Sequence, residues 1–101
     1  MNSPVFEVAQ IEVRPGQEAA FEAAVQEAAP LFQGSPGCES MRLLRSVEEP
    51  GRYRLFVRWV NVDAHLAFRE TPSFTQWRAL AGPHFLSPPQ VEHVYDTISG
   101  F

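Results

Sequence analysis

The run Arg52–Val60, RYRLFVRWV, carries apolar side chains on both faces: Leu55, Val57 and Trp59 point one way, Phe56 and Val60 the other. A strand that is wet on one side alternates apolar with polar residues. Both faces of this strand therefore need cover. Upstream, Val5–Val13 reads as another strand, with Val5, Ala9, Ile11 and Val13 on one face, Glu7 as their single charged companion, and Phe6 and Val8 opposite. Arg14-Pro15-Gly16 breaks it, and the proline is well placed to open a helix. In QEAAFEAAVQEAAPLF (17–32), Phe21, Ala24, Val25, Ala28 and Leu31 or Phe32 recur at three- and four-residue steps. That is the stripe of a helix with one face on a core, and Glu18, Glu22 and Glu27 take its wet side. Pro30 predicts an end or a kink, and Gly34-Ser35-Pro36-Gly37 a loop.

Cys38–Val47 reads as a less regular strand in which Met41, Leu43 and Val47 alternate with polar residues. The turn chemistry of Glu48-Glu49-Pro50-Gly51 joins it to Arg52–Val60 as a hairpin. Asn61 can cap a helix over VDAHLAFRE. Ser73, with Gln76 three residues on, has the spacing of a capping box for a second helical piece. Phe74, Trp77 and Leu80 or Ala81 form its apolar side, and Gly82-Pro83 stops it. Gln90–Ile98 is the last strand, with Val91, His93, Tyr95 and Thr97 on one face and Val94 and Ile98 on the other. The order β-α-β-β-α-β predicts an α+β fold of the ferredoxin-like, split βαβ kind: a four-stranded antiparallel sheet with its helical segments on one side.

At 101 residues the chain is one domain, able to form a core without disulfide or metal staples. Its net charge of −4 argues against a nucleic-acid partner. All eight basic residues are arginine. No apolar run approaches the roughly 20 residues of a membrane helix, and MNSPVFEV lacks the marks of a signal peptide. No membrane association and a cytoplasmic location are expected. Cys38 is the sole cysteine, so no intramolecular disulfide forms. Between Gly37 and Glu39 it has no electropositive setting and reads as a buried structural thiol. His65, His84 and His93 match no HxH or HxxxH step, so no metal site is expected.

Two helical units cover one face of four strands. The other keeps Phe6, Val8, Phe56, Val60, Val94 and Ile98, or the complementary set. Left bare, these side chains make a patch of roughly several hundred Å2, more than monomers usually carry. Covering them contributes roughly 5–10 kcal/mol before association entropy is subtracted. A second copy laid sheet to sheet under two-fold symmetry is the simplest cover, so a homodimer is expected.

The element order and the passage from Arg58-Trp59 into NVDAHLAFRETPSF resemble the antibiotic biosynthesis monooxygenase family, from Val5 to about Tyr95. The resemblance implies a dimeric α+β barrel in which a strand ends on tryptophan and the following helix carries an Ala-His-Leu-like step. It also implies oxidation by O2 of electron-rich phenols, quinols or polyketide anthrones, often without metal, haem or flavin, so no cofactor is expected. The cavity would lie inside each subunit, between sheet and helices. One departure is Ser73, where many members place a histidine ahead of the phenylalanine that is Phe74 here. Ala9, Phe68 and Arg78 fall near positions where haem-degrading relatives use asparagine, tryptophan and histidine, so haem breakdown is not expected.

On the residues alone, His65 is either a base or hydrogen-bond donor to substrate, or a partly exposed histidine of an amphipathic helix. Membership in such a family would make it the base, with Arg69 or His93 steadying a developing anion. His93 shares a strand face with Tyr95, and either lines the cavity or meets a partner; His84 reads as a loop residue. Trp59, Phe68, Phe74 and Trp77 can each be core, yet together offer the lining a flat aromatic molecule needs. Tyr53, on the strand face opposite Arg58, is added to that lining. Arg58, Arg69 and Arg78 either anchor an anionic group or sit in solvent. The expected ligand is a small hydrophobic or aromatic molecule. The leading expectation is a cofactor-independent monooxygenase. A dimeric barrel that only binds a ligand or serves as an accessory subunit is the alternative, and an isomerase or decarboxylase using the same base is a third reading.

Overall fold

The computed structural model describes residues 4–101. Its elements are β1 (Val5–Glu12), α1 (Glu18–Gln33), β2 (Cys38–Arg45), β3 (Arg52–Trp59), α2 (Val62–Phe68), α3 (Pro72–Ala81) and β4 (Gln90–Tyr95), with a 3-10 turn at Gly82–His84. The four strands form one antiparallel sheet in the order β2-β3-β1-β4. This is the ferredoxin-like arrangement that the hydrophobic pattern predicts. The helices lie on one face, where Val5, Ala9 and Ile11 of β1 and Leu55, Val57 and Trp59 of β3 pack against Phe21, Val25, Ala28 and Phe32 of α1.

Several boundaries differ from those expected, each for a local reason. Helix α1 runs through Pro30 to Gln33. Pro30 is on the exposed side, so the carbonyl bond it removes faces water, while Phe32 beyond it packs on Phe68 and Trp77 at 5.0 and 5.2 Å. Strand β2 ends at Arg45, leaving Val47 exposed in a turn where the Glu49 N–H donates to Ser46 Oγ. A register shift between Cys38 and Ser40 explains that strand's irregular pattern. The cap of α3 is Thr71 rather than Ser73: its Oγ1 accepts from the Phe74 N–H, with Pro72 following at the first helical positions. Strand β4 stops at Tyr95, the partner of Val5; the next position on β1 is Pro4, which has no N–H to donate. Ile98 thus lies outside the strand, and exposed.

On the uncovered face the register places Phe6, Val8, Phe56 and Val94 together, with Arg42, Arg54 and Arg58 around them. Phe6 and Phe56 meet edge to face at 6.4 Å, and the Arg58 guanidinium lies over the Phe6 ring. No helix among the described residues is long and apolar enough to cross a membrane.

Candidate functional site

Glu7 is the unusual residue of β1. The alternation that turns Val5, Ala9 and Ile11 inward turns its carboxylate inward too, leaving it 7% exposed. A buried carboxylate needs partners, and it has two. Trp59, at the end of β3, donates its indole N–H to Glu7 Oε1 at 3.0 Å. His65, one turn into the helical stretch capped by Asn61, places Nε2 3.2 Å from the same oxygen. The cap fixes that geometry: Asn61 Oδ1 accepts from the Ala64 N–H at 2.8 Å, next to His65. The His65 ring stacks on Trp59 with centroids 5.3 Å apart and planes 22° from parallel.

The other ring nitrogen of His65, Nδ1, is 2.7 Å from His93 Nε2. His93 stands on β4 directly opposite Glu7 in the sheet register, so both face the helices. A continuous chain results: His93, His65, Glu7 and Trp59. Burial lifts the Glu7 carboxyl to about 6 against the opposing pull of the Trp59 N–H and the Arg69 charge. Burial pushes His65 down to about 4, helped by His93 and Arg69. Burial and Arg69 also lower His93. Near neutral pH the carboxylate is then charged and His65 neutral. In that state the tautomer with its proton on His65 Nε2, toward Glu7, leaves Nδ1 to accept from His93 Nε2–H. Both Trp59 and His65 approach Glu7 at Oε1. Glu7 itself lines the open space beside this chain.

That space is a cavity of about 620 Å3 between the sheet and α2–α3, closed on one side by the segment Phe85–Pro89. Glu7 and His65 lie in its wall, with Ala9, Ile11, Leu55 and Val91 from the sheet. Phe74, Trp77 and Phe85 supply aromatic surface, and Arg14, Arg69 and Arg78 supply charge.

Of the residues expected from sequence, His65, Arg69, Phe74 and Trp77 therefore border the cavity, and His93 joins the chain through His65. Trp59 and Phe68 stand behind this layer: both are buried and touch each other at 5.3 Å, and Phe68 meets Phe74 at 5.6 Å. Tyr53 is elsewhere. It lies under α1, edge-on to Phe21, with its hydroxyl donating to Glu22 Oε2 at 2.6 Å; burial and Glu22 push that hydroxyl to about 12. Arg58 turns to the uncovered face, where it pairs with Glu39 and Asp96. His84 lies in the 3-10 turn and contacts Gln17. The Cys38 thiol is half-buried, and burial and the nearby Glu7 charge hold it above the usual thiol range. Among the described residues, no three His, Cys, Asp or Glu side chains converge as metal ligands. The residue missed from sequence is Glu7, whose signal was a lone carboxylate on an otherwise apolar strand face.

The sequence matches the family model for antibiotic biosynthesis monooxygenase over residues 4–80. It is 33% identical over 93 residues to the uncharacterized protein YczJ of Bacillus subtilis (strain 168), a match spanning 91% of this chain and 98% of that protein. A crystal structure from Bordetella bronchiseptica, assigned to the antibiotic biosynthesis monooxygenases, superposes with a TM-score of 0.93 at 45% identity, covering 95% of this chain and 99% of that one. SnoaB from Streptomyces nogalater, a cofactor-independent oxygenase, shares the fold with a TM-score of 0.85 at 20% identity, covering 97% of each chain.

Proposed function

The chain belongs to the antibiotic biosynthesis monooxygenase family, and on that premise we propose that it oxidises a small aromatic, quinol or polyketide-like molecule with O2, without a cofactor, as a homodimer. The observation that carries this reading is the Glu7–His65–His93 chain in the wall of an aromatic cavity. In this chemistry the substrate's own carbanion or phenolate reduces O2, and the protein need only remove a proton, hold the anion and keep water out. A methylene is converted to a carbonyl, and the second oxygen atom leaves as water with the two hydrogens.

The expected base was His65. Its ring nitrogens both face other side chains and its basicity is depressed, so the proton goes to the Glu7 carboxylate, which lines the cavity and whose raised pKa suits a base near neutrality. Trp59 and His65 hold that carboxylate in place, and Arg69 steadies the anion. Phe74 and Trp77 sandwich or abut the flat ring system.

Oxygen uptake with a panel of quinols and anthrones tests this. Glu7→Gln should lower turnover by about 100-fold or more, and the wild-type rate should rise with pH through about 6 and then level. Turnover unaffected by Glu7→Gln and by His65→Ala would remove the assignment. The second reading, a barrel that binds a ligand without turning it over, draws support from the same saturated bonding of His65. It predicts co-purifying ligand and no oxygen consumption.

A further inference from the structure

Arg45 pairs with Glu22, Arg52 with Glu12 and Glu49, and Arg58 with Glu39 and Asp96. Arg42 and Arg54 belong to the uncovered sheet face. The remaining three, Arg14, Arg69 and Arg78, come from separate places: the turn after β1, the end of α2 and the middle of α3. The fold brings all three to the wall of one cavity, and none has an ion-pair partner among the described residues. The cavity holds a single carboxylate, Glu7, already hydrogen-bonded to Trp59 and in contact with His65. A chain of net charge −4 has thus gathered three guanidinium groups against one carboxylate at this spot. Like charges converge unfavourably unless a counter-charge joins them.

The three also differ from the apolar wall in depth. Their side chains are exposed, which places them at the rim, whereas Glu7 and His65 are buried at the inner end. Arg78 is steadied over the Phe74 ring, its guanidinium carbon 5.8 Å from the centroid. Arg69 is near enough for its charge to act on Glu7, His65 and His93. Guanidinium is suited to paired hydrogen bonds with planar oxyanions.

We propose that Arg14, Arg69 and Arg78 form an anion subsite at the rim of the cavity, and that the ligand is an aromatic acid: a flat apolar body against Phe74 and Trp77, with a carboxylate or similar oxyanion at the arginines. The reactive carbon or hydroxyl then lies at the inner end, toward Glu7. This deepens the reading of the cavity as the substrate site, and it concerns recognition independently of turnover.

The test compares 1-naphthol with 1-hydroxy-2-naphthoate, which share a ring system and differ by a carboxylate, using titration calorimetry or quenching of tryptophan fluorescence. The carboxylate should bind about tenfold tighter or more at low ionic strength, as charge-assisted bonds allow. Added salt should shrink that preference, and it should fall toward one in Arg14→Gln/Arg78→Gln. Equal binding of the two, binding of neither, or a preference that survives salt and the double variant overturns the subsite. Salt dependence is read on the wild-type protein, so the test stands even if the variant folds poorly. Tight carboxylate binding with no oxygen uptake from any substrate leaves the subsite in place and counts against the monooxygenase. Oxygen uptake from neutral quinols without carboxylate preference does the reverse.

Discussion

At the scale of single residues, Glu7 carries a charge into the core at a cost in stability. Its folded-state pKa of about 6 lies above the ordinary glutamate value of 4.5, so folding favours the protonated form. The stabilisation from that group is complete below about 4.5 and is lost as pH rises through about 6. At neutral pH the charged carboxylate therefore costs about 2 kcal/mol relative to a neutral group. His65 has the opposite sign: with its pKa lowered to about 4, its contribution is present above 6.5 and lost as pH falls toward 4. Glu7→Gln keeps an acceptor for Trp59 and His65 while removing the charge. It should raise stability in denaturant unfolding by about 1–2 kcal/mol at pH 7–8, and the gain should vanish below about pH 4.5. A loss at neutral pH would mean the charged form is favoured by the fold. The oddity of Glu7 was visible in the sequence as one acid among Val5, Ala9 and Ile11. Its meaning was not, because Trp59 is 52 residues away and His93 meets it only through the β1–β4 register.

At the scale of elements, the placement of α2 depends on one glycine. Gly37 has φ +83°, and a Cβ there would come 2.7 Å from the Ala64 Cβ and 2.9 Å from Val60 Cγ2. Its carbonyl accepts the Val60 N–H at 2.8 Å. Backbone and helix approach closely at this point, and Ala64 immediately precedes His65. Gly37→Ala combines left-handed strain with a clash, so it should destabilise by about 1–3 kcal/mol or more. Because α2 must move outward, it should also weaken the His65–His93 contact, seen as perturbed histidine ring resonances. A variant with unchanged unfolding and unchanged resonances would contradict this. The elements themselves were legible from periodicity: the stripe of α1, the double-faced β3 and the Asn61 cap all appear where the pattern puts them. The ends were less legible, since Thr71 and Ser73 offer similar hydroxyls and only the position of Pro72 inside α3 decides between them. Tyr53 shows the limit of facing arguments: it lies on the covered side, as expected, but at the end of the sheet under α1 rather than beside α2 and α3.

At the scale of the molecule, Phe6, Val8, Phe56 and Val94 form an apolar centre on the face that no helix covers. A second copy would cover it, and the arginines around it would form the rim. Phe56→Arg places another guanidinium beside Arg42, Arg54 and Arg58. Sedimentation at micromolar concentration should find the wild type dimeric and this variant monomeric; a wild type that sediments as one copy would exclude the pairing. The sequence announced surplus apolar surface on the sheet but not its mixed character, because strand facing had to be settled before the arginines could be assigned to it. The position of β4 has a further outcome. It is an outer strand joined to the sheet only through β1, and the His93–His65–Glu7 contacts cross that seam. Sliding β4 by one residue would bring Glu92 or Val94 inward in place of His93 and break its contact with His65. Whatever docks along that outer border would thus act as a clamp on the histidine pair at the inner end of the cavity.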